Sequence, residues 1–246
     1  MSKIVLFNAL LKMKKKIICI IPARGKSKRI KNKNIKAFNG KPIIAWSIIA
    51  AKKSKIFDNI IVSTDSKKIA NISKKYGAQV PYLRSSRLSN DIAPVNVAII
   101  DTINFLKKKN FHFDFVCMIF PTSVFTIPKD LTKGAKLIRE NKNLDFVVSL
   151  SKLKTPYFRA LKVKKKKILP LFKSNVSKRS QELTELYYDN AQFTFGRVES
   201  WLAKKHSFLA NSSFVYIPSY KVQDIDTLED WKRAELLFKI QNKKFR

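Results

Sequence analysis

Six cations stand within ten residues in the stretch "IICIIPARGKSKRIKNKN" (17–34), Arg24, Lys28, Arg29 and Lys33 among them. Five apolar residues, Ile17–Ile21, run into Pro22-Ala23-Arg24-Gly25, so the cations leave on a loop from the end of a buried strand. Arginine grips phosphate oxygens through two parallel N–H groups, and lysine adds a point charge. Together they suit a triphosphate whose negative charge grows on a departing pyrophosphate. Gly25 alone precedes the lysines, so the loop is not a GxxxxGK[ST] phosphate loop, and no GxGxxG dinucleotide fingerprint occurs. A solvated charge run is the rival reading of these residues.

The second constellation is "VQDIDT" (222–227). In an extended segment residues two apart share a side, so Asp224 and Asp226 project together while Ile225 faces the core. Two carboxylates beside phosphates make a site for Mg²⁺, which takes oxygen ligands and keeps several waters. The rival reading gives Asp226 the lesser role of starting the helix that follows, where its charge favours the dipole. The chain holds only 17 Asp and Glu, which makes a pair one position apart a notable use of them.

Elements to position these groups are legible in the apolar pattern. Runs at 17–21, 59–62, 79–82, 115–119 and 146–150 read as strands, and helical segments are expected over 42–52, 66–75, 94–108 and 128–140. Val95, Ile99, Ile103 and Leu106 form one helical stripe, and Pro42, Pro94 and Pro128 sit where a first turn tolerates them. Strands alternating with helices predict an α/β fold with a largely parallel, doubly wound sheet, whose ligands lie beyond the carboxyl ends of the strands. The basic loop, "STDS" (63–66) and "FPTSVF" (120–125) all fall at that edge.

The alternation breaks over 152–186, which reads as an inserted arm too short to be a domain. Leu169, Leu171 and Phe172 are its expected anchors on a partner chain. Regular structure resumes at "AQFTFGR" (191–197) and "SSFVYI" (212–217). A last helix begins at Thr227, whose spacing to Asp230 is that of a capping box, with Leu228, Trp231 and Ala234 inward. The organisation expected is an N-terminal extension over 1–14, one domain over 15–240 carrying the arm, and a tail over 241–246.

Composition narrows the class. With 51 Lys and Arg the net charge is +34, which attracts polyanions. Yet the lysines are spread through every segment rather than gathered on one face, so no specific nucleic-acid partner is expected. No apolar run spans a bilayer. Two histidines without ligand spacing, and Cys19 and Cys117 each inside an apolar run, give no zinc site and no disulfide framework. A reducing cytoplasm is the expected compartment.

Taken in order along the chain, "IIPARGKSKRIKNKN", "VSTDS", "YLRSSRLSND", "FPTSVF" and "DIDT" resemble the cytidylyltransferases that activate sialic-type sugars and the related octulosonic acid. The resemblance covers about 15–240. "RSQEL" (179–183), "YYDNAQFTFGR" (187–197) and "VQDIDTLEDWKRAELLFK" (222–239) are most similar to members acting on pseudaminic acid. Ala191 stands where that family usually has glycine, as does Lys26, and Lys31 replaces a common proline.

The resemblance implies a Rossmann-like nucleotidyltransferase fold and a homodimer in which the arm crosses to the other subunit. The implied reaction transfers CMP from CTP to the anomeric hydroxyl of a nonulosonic acid. It implies that Arg24, Lys28 and Lys33 hold the triphosphate, that Ala23 and Gly25 offer backbone groups to base and phosphates, and that Asn34 meets ribose or phosphate. Arg84 and Ala93 then belong to the cytosine-reading region, and Asp224 and Asp226 to the Mg²⁺ site. Arg179 is expected near the sugar's carboxylate, with Gln181 and Gln192 near its other polar groups. Neuraminate, legionaminate and octulosonate remain alternative sugars; a basic nucleic-acid binder and a non-catalytic scaffold are alternatives of another class.

Overall fold

The computed structural model describes residues 15–89, 94–153 and 157–243. Strand β1 (Ile17–Pro22) is followed by a short ribbon, β2 (Ala37–Phe38) with β3 (Lys41–Pro42), then α1 (Ile43–Ser54), β4 (Asn59–Ser63) and α2 (Lys67–Lys75). Next come α3 (Val95–Lys108), β5 (Phe115–Ile119), α4 (Pro128–Glu140) and β6 (Phe146–Lys152). A hairpin, β7 (Leu161–Lys164) and β8 (Lys167–Pro170), precedes β9 (Tyr187–Arg197), α5 (Val198–Leu202), β10 (Ser212–Tyr216) and α6 (Leu228–Lys243).

Six strands form one sheet in the order β10-β6-β9-β5-β1-β4. All are parallel except β9, which runs antiparallel between β5 and β6. Alternate residues of β1 feed two cores. Ile17, Cys19 and Ile21 pack with Ile43, Ile44 and Ile48 of α1, while Ile18 and Ile20 pack with Ile99, Ile103 and Leu106 of α3. A strand covered on both faces must be apolar throughout, which is why β1 reads as an unbroken run. Pro42 and Pro94 are the N-caps of α1 and α3, Pro128 opens α4, and the Ser66 hydroxyl caps α2.

Three expectations change. The run at 79–82 is no strand: Gln79 and Leu83 make isolated bridges to Ile61 and Thr64, and Pro81 between them has no N–H to continue a ladder. Leu228 is exposed, so the inward face of α6 begins at Trp231 and continues through Ala234. Helix α6 also runs on to Lys243, past the expected start of the tail. The extension over 1–14 and residues 244–246 lie outside the described residues.

The arm contains the β7–β8 hairpin. Leu161, Val163, Ile168 and Pro170 share one face of it, since Leu161 pairs with Pro170 and Val163 with Ile168. Val163 is 74% exposed and Ile168 67%. Phe172, by contrast, finds neighbours within the chain, its ring 5.6 Å from Tyr157 and 5.4 Å from Phe158.

Candidate active site

From β1 the chain passes through α1 to β4 on one side, and through α3 to β5 on the other side of β1. The carboxyl ends of β1 and β5 therefore flank a topological switch point, where an open α/β sheet forms its crevice. A cavity of about 710 Å³ lies there, lined by Pro22 and Arg24 after β1 and by Phe120, Pro121 and Thr122 after β5. Lys28, Arg29, Lys33, Asn34, Arg84, Asp224 and Asp226 line the same cavity. Residues some 200 positions apart in sequence thus share one wall.

The basic loop is built onto the strand edges by main-chain bonds. Ala23 N–H donates to Ser63 O at 2.9 Å, and Gly25 N–H donates to Asp65 Oδ1 at 2.7 Å. Both N–H groups are therefore bonded inside the protein, which leaves the carbonyls as the backbone groups these two residues can offer. Gly25 sits close to the start of α2: a Cβ there would meet Ser66 Cβ at 3.0 Å, a tight contact. Asn34 is buried, and its amide donates to Arg24 O at 2.9 Å, so it fixes the loop from beneath as well as lining the cavity.

Lys33 reaches across to the acidic segment. Its Nζ donates to Ile225 O at 2.7 Å and stands 3.3 Å from Asp226 Oδ1, and the Arg29 guanidinium is 2.8 Å from that same oxygen. Ile225 is fully buried, as the alternation required, and Asp224 and Asp226 both line the cavity. The helix start is handled by other groups. Asp230 Oδ2 accepts from the Thr227 N–H at 2.8 Å, and the Thr227 hydroxyl accepts from Asp230 N–H at 3.1 Å. That reciprocal cap leaves the Asp226 carboxylate to the cavity. Burial first, then the neighbouring Asp226, pushes the Asp224 carboxyl pKa above its ordinary value, with Lys33 acting the other way.

Arg84 is buried, with Nε donating to Ser89 Oγ at 2.9 Å and Nη1 to the Ser63 carbonyl and hydroxyl at 3.3 and 3.2 Å. Burial lowers its pKa from the ordinary guanidinium value, an effect opposed by the charge of Asp65. Ala93 lies outside the described residues.

The three residues expected near the sugar do not line the cavity in this chain. Arg179 and Gln181 are on the exposed arm. Gln192 is buried, its oxygen accepting from Thr126 at 3.1 Å and its nitrogen donating to Asn190 O at 3.0 Å. Both ends serve the protein, as buried polar groups usually do. Sequence reasoning missed two carboxylates: Asp65, which holds Gly25, and Asp189, which lines the cavity. Asp65 lies in "STDS", already placed at the ligand edge of the sheet, and Asp189 in "YYDNAQFTFGR"; the rarity of acids in so basic a chain was the signal to single them out.

Over residues 18–217 the chain matches the protein-family model described as cytidylyltransferase. The chain belongs to that family. It is 36% identical over 228 residues to a pseudaminic acid cytidylyltransferase of Campylobacter jejuni, covering 92% of this chain and 98% of that one. A CMP-N,N'-diacetyllegionaminic acid synthase of Legionella pneumophila is 32% identical over 234 residues, covering 92% and 97%. A solved CMP:2-keto-3-deoxy-manno-octonic acid synthetase complexed with CTP superposes with a TM-score of 0.68 at 15% identity, over 92% of this chain and 99% of that one. In this cytidylyltransferase the mostly parallel sheet therefore belongs to a fold shared well beyond recognisable sequence identity.

Proposed function

We propose that this cytidylyltransferase transfers CMP from CTP to the anomeric hydroxyl of a nonulosonic acid, pseudaminic acid, releasing pyrophosphate. One observation carries the reading: a cationic loop and a carboxylate pair meet on one wall of the switch-point cavity. The 36% identity to a pseudaminic acid cytidylyltransferase over nearly the whole of both chains supports the choice of sugar.

The anomeric oxygen attacks the α-phosphorus in line, and the bond to the pyrophosphate breaks as the new one forms. Arg24, Lys28 and Lys33 take up the charge that develops on the leaving group. Arg84, locked by Ser63 and Ser89, presents a fixed donor edge toward the base. The donor set fits Mg²⁺, which Asp224 and Asp226 would hold. When bound, such an ion supplies charge neutralisation to the triphosphate. The chain's own residues prepare for it by keeping both carboxylates on the cavity wall and out of the helix cap.

Two chains associate, in this reading, through the uncovered apolar face of the β7–β8 hairpin. Cys19 and Cys117 are both free thiols, consistent with work in the reducing cytoplasm, and no helix among the described residues is long and apolar enough to cross a membrane. Incubation with CTP, Mg²⁺ and a panel of nonulosonic acids, followed by product analysis, tests the assignment. CMP-pseudaminate as the main product is expected. Preferred use of legionaminate or neuraminate reassigns the sugar, and no CMP-sugar from any of them overturns the reading.

A further inference from the structure

Strand β9 is interrupted where it passes the cavity. Thr194 pairs with Val148 of β6 and Asp189 with Leu150, so β9 spends five steps where β6 spends two. The extra residues are pinned from several sides. Phe193 N–H donates to Ser149 Oγ at 3.1 Å, the Ser123 hydroxyl donates to Gln192 O at 2.8 Å, and the Asn190 amide donates to Ser151 Oγ at 2.9 Å. A bulge so held re-aims particular side chains. Here the residues it delivers to the cavity are Asp189 and Ala191.

Asp189 is oriented at one oxygen, which accepts from the Ala191 N–H at 2.9 Å. Among the described residues no basic side chain pairs with it, in a chain carrying 51 Lys and Arg. Partial desolvation raises its carboxyl pKa from the ordinary value, although the residue is exposed, and the Ala191 hydrogen bond acts the other way. Asp189 remains exposed to the cavity, so its other oxygen is open to accept from a donor on whatever ligand lies there. The triphosphate offers no donor and repels it, and so does the C1 carboxylate of a sugar acid. The reading above gives the cation to Asp224 and Asp226 and the nucleoside to the Arg84 side of the cavity, which leaves Asp189 the hydroxyls and amide N–H groups of the sugar.

We propose that Asp189 is a specificity-determining residue that accepts a hydrogen bond from a hydroxyl or amide N–H of the sugar acid. The proposal rests on the reading of the cavity as the site of cytidylyl transfer to a nonulosonic acid. On it, the β9 bulge sets a fixed acceptor on the sugar's side of a cavity whose other charged groups serve the nucleotide and its cation.

Asp189→Asn tests it, because the amide oxygen still accepts from Ala191 while the charge is lost. Steady-state kinetics use whichever nonulosonic acid the wild type turns over fastest, so the outcome does not depend on the sugar being pseudaminate. The expected result is a KM for the sugar raised about tenfold or more, with the KM for CTP and the half-saturating Mg²⁺ concentration unchanged within about twofold. Asp189→Glu keeps the acceptor and is expected to recover part of the loss. An unchanged sugar KM in Asp189→Asn overturns the proposal. Equal losses in Asn and Glu variants, or a parallel loss of CTP affinity, assign Asp189 to holding the bulge. A shift confined to Mg²⁺ makes it a metal ligand, and either result also overturns the proposal. A wild type that uses no nonulosonic acid overturns both this inference and the reading beneath it.

Discussion

The Asp226 carboxylate carries two positive partners, Arg29 at 2.8 Å and Lys33 at 3.3 Å, on a side chain that is 41% exposed. Ion pairs this open contribute about 0 to 1 kcal/mol to stability. A metal ligand contributes far more to the chemical step, so the two roles separate by magnitude. Asp224→Asn and Asp226→Asn are each expected to lower turnover about 10²-fold or more while moving the unfolding free energy by less than about 1 kcal/mol. Wild-type rates for both variants at limiting Mg²⁺ would return Asp226 to a minor structural part. Ala191 is a different kind of residue-scale case. Its φ of 53° lies in the left-handed region, which costs an L-residue with a Cβ roughly 1 to 2 kcal/mol. Glycine there escapes that cost but loses about 0.5 to 1 kcal/mol of backbone entropy on folding. Ala191→Gly is therefore expected to raise Tm slightly, by a degree or two. A fall in Tm would show that the methyl group packs against the cavity wall strongly enough to outweigh the strain.

At the scale of elements, α4 lies tightly on β9. A Cβ built on Gly134 would stand 2.6 Å from the Phe195 ring and 3.3 Å from that of Phe193. Both rings are fully buried and cannot swing aside. Helix propensity favours alanine over glycine by about 1 kcal/mol, whereas overpacking a rigid core costs about 1 to 3 kcal/mol. Gly134→Ala is expected to lose on balance, with Tm lowered by several degrees in thermal unfolding; a rise would mean that α4 lifts off the sheet at little cost. Elements of this kind were readable in the sequence because burial on both faces of β1 and β5 demands unbroken apolar runs, and because α3 keeps its stripe. The basic loop and the Asp224/Asp226 pair were readable for a related reason: each group is set by near neighbours in the chain. What was hidden depends on distant contacts. Gly25 gives its N–H to Asp65, forty positions away, and Asp189 reaches the cavity through a bulge held by Ser149, Ser151 and Ser123. Gln192 shows the same limit from the other side, since a polar residue facing a ligand and one tied to Thr126 and Asn190 look alike in sequence.

For the whole molecule the question is whether a chain of net charge +34 can pair with its own copy. The hairpin offers the means, with Leu161, Val163, Ile168 and Pro170 on one face; Lys162, Lys164, Lys167 and the expected anchor Leu169 lie on the other. An isolated two-stranded hairpin is marginal in water, and an apolar face left open invites cover. Burying that face favours association, while the summed positive charge of two chains opposes it. The opposing term weakens with salt, since the screening length falls from about 10 Å at 0.1 M to about 3 Å at 1 M. Self-association is therefore expected to tighten as salt is raised, measured by sedimentation at micromolar concentration. Binding to a nonspecific polyanion runs the other way, because it draws on counterion release and falls steeply with salt. One salt series thus separates the two uses of the charge. Val163→Glu with Ile168→Glu is expected to give a folded monomer at every salt concentration. A wild type that is monomeric throughout would remove the arm from any interface, and a dimer that loosens with salt would place the contact on charged surface instead of the hairpin face.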